Sequence, residues 1–315
     1  MNDLRATQPG PDTAHGWSDG AAYVKGRFVR IGEAAIPVTD WGYRRSDVTY
    51  DVVSVWNGCF FRLDDHLRRF QASMESLRLS PPETMDDIRR ILTRCAQLLG
   101  RPEAYVAMDC LRGTPTPGVP RHPANCRNHF VAFAIPWVWV VPEAVQARGA
   151  HLITARTPRI PDVCVDPRVK NFHWGDLTRA QFEAGDAGAD NAILLDLDGF
   201  VTEGPGFNVF MVAGGTVVSP AHGVLEGITR LSVYDLCREM GVPAEIRPIA
   251  AAEIADADEI FLATTAGGIM PAARLDGRIM GNDRPGPISA ALRERFWARR
   301  REGWHATPIE GLAAA

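Results

Sequence analysis

The chain has 315 residues, 46% hydrophobic and 23% charged, with a formal net charge of -4 and a pI near 6.1. That length suits about two domains, and the composition is ordinary for a soluble globular enzyme. A charge this small, without blocks of like sign, gives no electrostatic reason to bind nucleic acid.

Residues 1–20 are polar, contain Pro and Gly, and lack the basic start and apolar core of a signal peptide; they read as a flexible arm. AAYVKGRFVRIG and TYDVVSVWNGCFFRL then alternate as short strands, with Asn57-Gly58 marking a tight hairpin. Two helices follow, DDHLRRFQASMESLRL and ETMDDIRRILTRCAQLLG, whose apolar residues recur at three and four and whose first turns are acidic. Strands AYVAMDCLRG and NHFVAFAIPW, separated by the proline-rich loop TPTPGVPRHPAN, complete a small α+β domain over 21–136. Residues 137–143 form a linker to a large domain over 144–315. The order expected there is strand HLITARTPRI, helix DLTRAQFEAGDAG, strand NAILLDLDG, hairpin FNVFMVAGGTVVSP and helix TRLSVYDLCREMG. Strand AEIRPIA, short helix EIADA, strand EIFLATTAGG and a last helix near PISAALRERFWARRR complete it.

The most apolar run, FVAFAIPWVWVVP, is too short to span a bilayer and is broken by Pro136. The six cysteines (Cys59, Cys95, Cys110, Cys126, Cys164, Cys237) form no C-x-x-C pair and lie near no histidine in metal-ligand spacing. They read as buried hydrophobes or free thiols in a reducing compartment, so no metal is expected and the default location is the cytoplasm.

Among 34 Lys plus Arg, only Lys25 and Lys170 are lysine. Lys25 lies in a hairpin-like turn; Lys170 stands in DPRVKNFHWGD, between Val169 and Asn171-Phe172. An amine, unlike a guanidinium, can lose its proton and attack a carbonyl. Four other stretches bear on it. DGFVTEGPGFNVF puts Glu203 after a strand, and in GVLEGITRLSVYDLC the Gly227-Ile228-Thr229 run leads into an amphipathic helix, a ready seat for phosphate. EIFLATTAGGIM ends an apolar strand in two threonines and two glycines, and LDDHLRRF sets His66 and Arg69 three apart on one helix face. An amine, a carboxylate and several anion-binding groups together fit pyridoxal 5'-phosphate, whose aldehyde takes a lysine, whose ring nitrogen wants a carboxylate and whose phosphate wants a helix start.

The order HxxR, VKN, TEGxGFN, GITR, TTAGG resembles the fold-type IV pyridoxal-phosphate enzymes. That group holds the branched-chain and D-amino-acid aminotransferases, aminodeoxychorismate lyases and (R)-selective amine transaminases. RSDVTYDVVSVWNGCFFRLDDHLRRF, DPRVKNFHWGDLTRAQFEAGD, GITRLSVYD and EIFLATTAGGIMPAARLDG look most like the last of these, over most of residues 21–300. The resemblance implies an α/β (α+β) fold of two domains, the larger a pseudo-barrel, with the site between them, and a homodimer. It makes Lys170 the Schiff-base lysine and Glu203 the partner of the pyridine nitrogen. Arg69, Ile228, Thr229 and Thr265 become phosphate-cup residues, and Leu225 packs on the ring face. Tyr50, Tyr105, Trp174, Thr264 and Ala266 line the substrate pocket.

Three departures from the amine transaminases fall in the substrate half. Arg45, preceded by Arg44, replaces a usual histidine; Tyr105-Val106-Ala107 replaces F-V-E; and the loop after it is rewritten as Arg112-Gly113-Thr114-Pro115, with Arg121 the next arginine after Arg112. Arginine grips a carboxylate in a forked geometry, so Arg45 or Arg112 is expected to hold an amino-acid or keto-acid carboxylate. The expected activity is a ping-pong transaminase moving an amino group from an (R)-amine or D-amino acid to a keto acid such as pyruvate. A D-amino-acid or branched-chain aminotransferase, and a lyase of the aminodeoxychorismate type, are the alternatives.

Overall fold

In the computed structural model, described for residues 16–312, the chain divides into two compact units. The first runs to Val138 and takes back Val169–Phe172 and the C-terminal segment from Trp304; the second is Trp139–Arg168 with His173–Gly303.

In the first unit, β1 (Ala21–Val24) and β2 (Arg27–Arg30) form a hairpin, followed by helix α1 (Trp41–Arg45) and strands β3 (Val48–Trp56) and β4 (Cys59–Phe61). Asn57 and Gly58 turn β3 into β4 with φ of 54° and 69°, the left-handed pair that a tight hairpin demands and that Asn-Gly adopts at least cost. Helices α2 (Leu63–Ser76) and α3 (Met85–Leu99) precede β5 (Ala104–Leu111) and β6 (His129–Pro136). α3 begins in a capping box, Thr84 accepting from the Asp87 N–H while the Asp87 carboxylate accepts from the Thr84 N–H. With the final strand Ala306–Pro308 on β4, these strands make a seven-stranded antiparallel sheet. Its strands alternate in period two. Val53, Val55, Val106 and Met108 turn to the helices, meeting Phe70 and Ile91, while Val48, Leu111 and Val131 turn to the other face.

The second unit holds α4 (Glu143–Arg148), β7 (Ala150–Thr154), α5 (Gly175–Asp186), β8 (Asn191–Ile193), β9 (Glu203–Gly204), β10 (Phe207–Ala213) and β11 (Thr216–Ser219). Then come α6 (Ile228–Met240), β12 (Ala244–Ile246), α7 (Ala251–Ala255), β13 (Glu259–Thr264), β14 (Gly268–Leu275), β15 (Arg278–Ile279) and α8 (Pro287–Arg301). The last strand of the chain, β16, is the Ala306–Pro308 segment of the first unit. The nine strands of the second unit form a mixed sheet, parallel at β11/β12, β14/β7 and β7/β8. β10 alternates as expected: Val209 and Met211 enter one core, and Phe210 stacks on Phe261 toward Tyr234 of α6.

Two expectations need correction. Residues 144–315 are not one unit, because the backbone around Lys170 bridges to β3 and the C-terminal segment adds β16 to β4. Residues 17–20 also do not belong to a flexible arm. Residues 1–15 lie outside the described residues, but Trp17 is buried, its carbonyl accepts from the Gly20 N–H, and the Ser18 carbonyl accepts from Arg101. Among the described residues no helix is long and apolar enough to cross a membrane.

Candidate active site

Lys170 is held by its backbone. Its carbonyl accepts from the Thr49 hydroxyl at 2.7 Å and from the Tyr50 N–H at 3.1 Å, and Asn171 bridges to Thr49. The side chain runs over the face of Tyr50, with Nζ 4.3 Å from the ring centroid, and Phe172 packs on the same ring at 4.9 Å. β3 therefore presents Tyr50 with Lys170 on one face and, by the period-two rule, Asp51 on the other.

Asp51 is fully buried and accepts from Arg69 Nε and Nη2, both at 2.8 Å, with His66 Nδ1 also at 2.8 Å. His66 and Arg69, one turn apart on α2, thus converge on one carboxylate, which fixes the plane of the Arg69 guanidinium. Burial pushes Asp51 up, but the charge of Arg69 and the hydrogen bonds from Arg69 and His66 outweigh it and hold the group well below the usual carboxylate range. His66 is pushed down by burial and by Arg69 and Lys170, against the pull of Asp51. It is a neutral ring donating from Nδ1, since the ionised carboxylate can only accept. The signs give a pH dependence. The unfolded chain protonates histidine below about pH 6.5 while the folded His66 resists, so stability falls as pH drops through that value; Asp51 adds a further loss below about pH 3.9. Urea midpoints should decline from about pH 7 to about pH 5, with a shallower slope in His66→Asn.

Glu203 anchors the second unit's share. Its Oε1 accepts from Arg159 Nε at 3.2 Å and Nη2 at 3.0 Å, and its Oε2 accepts from the Leu225 N–H at 2.9 Å. Arg159 reaches Asp176 Oδ2 at 2.6 Å through Nη1, and Asp176 also accepts from the N–H groups of Ile160 and Leu177. All three side chains are at most 9% exposed. Burial works against the charge of Arg159, but the two carboxylates raise its pKa further. One guanidinium between two carboxylates leaves the row one negative charge in excess.

Half-buried Leu225 leads to the start of α6. Its carbonyl accepts from the Gly227 N–H and from Asn208 Nδ2, both at 2.8 Å. No side chain caps α6, and Ile228 and Thr229 at its first turn are buried. A Cβ on Gly227 would lie 1.9 Å from Asn208 Oδ1, so only glycine lets the chain pass. Gly227→Ala should displace Asn208 and weaken phosphate-bearing ligands at this helix start by about tenfold or more, read by titration of the full-length protein. At the end of β13, Thr264 does not offer its hydroxyl to a pocket: it donates to the Gly206 carbonyl at 2.7 Å. Thr265 is half-buried beside it, and the Ala266 carbonyl accepts from Val140. Trp174 precedes α5, packs with Leu177 and Ala180, and places its ring 3.4 Å from where a Gly206 Cβ would stand.

The two candidate arginines part company. Arg112 is buried, forked onto Asp47 through Nε and Nη2, and donates to the carbonyls of Arg78 and Leu77. With its donors so engaged it ties the chain together and gives no free fork to a substrate. Arg112→Ala should cost about 2–3 kcal/mol in urea unfolding and leave keto-acid KM unchanged. Arg45 is exposed, with its guanidinium 3.4 Å from the Trp41 ring centroid, and Arg121 approaches the same ring at 5.9 Å. Neither has a carboxylate partner among the described residues. Both line a cavity of about 520 Å³ with Arg44, Thr114 and Thr116. Between the lining residues Thr39 and Trp41, Asp40 accepts from the Gly42 and Gly113 N–H groups and pairs with His129 at 2.6 Å. Tyr105 lies half-buried on β5, on the same sheet face as Tyr50.

Reading the sequence missed Arg159, Asp176 and Asp51. Arg159 stands in TARTPRI without periodicity, and its partners lie 17 and 44 positions away. The "Amino-transferase class IV" family matches residues 49–275. A Methanocaldococcus jannaschii protein that carries the name of a branched-chain-amino-acid aminotransferase is 31% identical over 277 residues, 87% of this chain and 94% of that one. The D-alanine aminotransferase of Bacillus licheniformis is 28% identical over 84% of this chain and 91% of its own. The solved branched-chain amino acid aminotransferase of Thermobaculum terrenum, in its PLP-bound form, superposes with a TM-score of 0.81 at 26% identity, covering 93% of this chain and 99% of that one. With Lys170, Glu203 and the α6 start all inside the matched span, the chain belongs to the class IV aminotransferases, enzymes that depend on pyridoxal 5'-phosphate.

Proposed function

We propose that this aminotransferase moves an amino group from an (R)-amine or D-amino acid to a keto acid such as pyruvate, in two alternating half-reactions. The observation that carries the keto-acid half is the pair Arg45 and Arg121 over one indole, two cations without an ion-pair partner among the described residues. A carboxylate fits them by charge and by forked geometry. The preference for (R)-amines and D-amino acids rests on the sequence motifs and on kinship with D-alanine aminotransferases.

The residues fit the cofactor. The excess negative charge of the Asp176–Arg159–Glu203 row suits a protonated ring nitrogen at Glu203, and the uncapped start of α6 suits a phosphate. Pyridoxal 5'-phosphate, when bound, supplies the aldehyde that carries the amino group and a ring that takes up electrons as a proton leaves the substrate carbon. Lys170 Nζ would be the amine that anchors that group and would take the substrate proton and return it. Arg159 keeps Glu203 ionised and oriented. The N–H groups of Ile228 and Thr229, with Thr265, would hold the phosphate and Leu225 would pack on the ring; Arg69 is assigned to the phosphate by the family resemblance. Tyr50 keeps the amine of Lys170 aligned from one side.

The test is the absorption of the loaded protein after (R)-1-phenylethylamine, D-alanine and L-leucine in separate cuvettes. Loss of the yellow band with the first two and not with L-leucine supports the proposal. The second reading, an L-branched-chain aminotransferase, is favoured by the Methanocaldococcus and Thermobaculum proteins and wins if only L-leucine bleaches the band.

A further inference from the structure

Asp109 lies on β5 directly opposite Tyr50 in the β3–β5 register, and so on the sheet face that carries Lys170. Its neighbours on that face are Ala107 and Leu111 on its own strand and Val131 across from it on β6. It makes no hydrogen bond or ion pair among the described residues, yet it is not sealed, for it keeps partial solvent exposure. Burial alone pushes its carboxyl up to about 7. Tyr50 and Tyr105 share its sheet face, and Tyr105 is pushed up by burial, by Tyr50 and by Asp109. A carboxyl in an apolar wall without a partner is costly to keep, and a group so placed on the sheet face that carries Tyr50 and Lys170 marks a recognition site.

Building on the transaminase reading above, we propose that Asp109 is a specificity-determining residue that binds a second amino group on the substrate, at the end remote from the reacting amine. The preferred donors are then diamines and amino acids with a terminal ammonium. Tyr50 connects the two groups: Asp109 stands across from it on β5, opposed residues of an antiparallel pair lying about 5 Å apart at Cβ, and Lys170 Nζ lies 4.3 Å from its ring centroid, so a substrate chain of several carbons is the proposed link between them. The wall of Ala107, Leu111 and Val131 suits the methylenes between, and the ammonium gives Asp109 the counter-ion it lacks. Placing that charge there also favours the ionised carboxylate, so binding draws a proton off Asp109 into solvent.

Lysine and norleucine differ at the terminus by an ammonium in place of a methyl, and both enantiomers of each should be assayed with the loaded enzyme. The expected result is a kcat/KM about ten- to a hundredfold higher for lysine than for norleucine in whichever stereochemical series reacts, collapsing in Asp109→Leu and reduced in Asp109→Asn. Calorimetry adds a readout independent of turnover: full-length protein without added cofactor should bind 1,5-diaminopentane more tightly than pentylamine, and Asp109→Leu should lose that difference. An unchanged lysine-to-norleucine ratio in Asp109→Leu, or no diamine preference in the wild type, overturns the assignment of Asp109. Reaction of the L series alone overturns the stereochemical reading and leaves Asp109 to be judged on L-lysine and L-norleucine. If neither series reacts, the transaminase proposal fails and the calorimetry alone decides Asp109.

Discussion

Lys170→Arg is expected to abolish transamination, with a loss of about 10⁴-fold or more in each half-reaction, and Lys170→Ala to match it. The arginine variant is the sharper one. It keeps a cation over the Tyr50 ring, so the electrostatic contact at 4.3 Å survives, but a guanidinium neither gives up its proton near neutral pH nor bonds an aldehyde as an amine does. If Lys170 served only as a positive charge against Tyr50, arginine would rescue activity; if it is base and nucleophile, arginine is as dead as alanine. Neither substitution should unfold the chain, because the anchor to β3 is the Lys170 carbonyl, bonded to the Thr49 hydroxyl and the Tyr50 N–H. Stopped-flow single turnovers with loaded protein measure the rates, and circular dichroism confirms the fold. An arginine variant that kept a tenth of the wild-type rate would remove Lys170 from the chemistry.

What was legible in the sequence was local. Asn57-Gly58 announces a hairpin because few other pairs accept two left-handed residues, and Thr84-x-x-Asp87 announces the start of α3 because both ends of the capping box lie within one turn. Lys170 stood out through scarcity: in a chain with one other lysine, Lys25, a lysine inside a structured segment asks for a reason. What was not legible was long-range. The carbonyl of Lys170 meets a threonine 121 positions earlier, and nothing in DPRVKNFHWGD says that its middle, Val169–Phe172, groups with the first unit. Arg112 and Arg45 looked alike as loop arginines near a rewritten strand end. They differ because Asp47 and two backbone carbonyls meet Arg112, whereas Arg45 lies over the Trp41 ring without a carboxylate partner among the described residues. Asp109 passed as one residue of a strand, since its lack of a partner exists only once β3 and β6 are laid beside it.

Arg159→Met is expected to be the most damaging single substitution for stability, at about 3–5 kcal/mol, because it strands two buried carboxylates where one guanidinium had served both. Backbone N–H groups soften the loss without cancelling it: Asp176 keeps Ile160 and Leu177, and Glu203 keeps Leu225, but none of these carries a full charge. The double variant Arg159→Met with Glu203→Gln checks this directly. If the cost comes from an uncompensated charge, neutralising Glu203 in the Met background should restore part of the lost stability, a non-additivity of about 1–3 kcal/mol in urea unfolding. If the cost came only from lost packing around the arginine stem, the two substitutions would simply add. Activity separates differently. If Glu203 serves the ring nitrogen as proposed, Glu203→Gln removes that anion, so the double variant should regain stability and still turn over at least about 10²-fold more slowly than wild type, even at saturating cofactor. Stability recovered without activity would separate the two duties of the row: Arg159 makes a buried glutamate tolerable, and Glu203 uses that tolerance for chemistry.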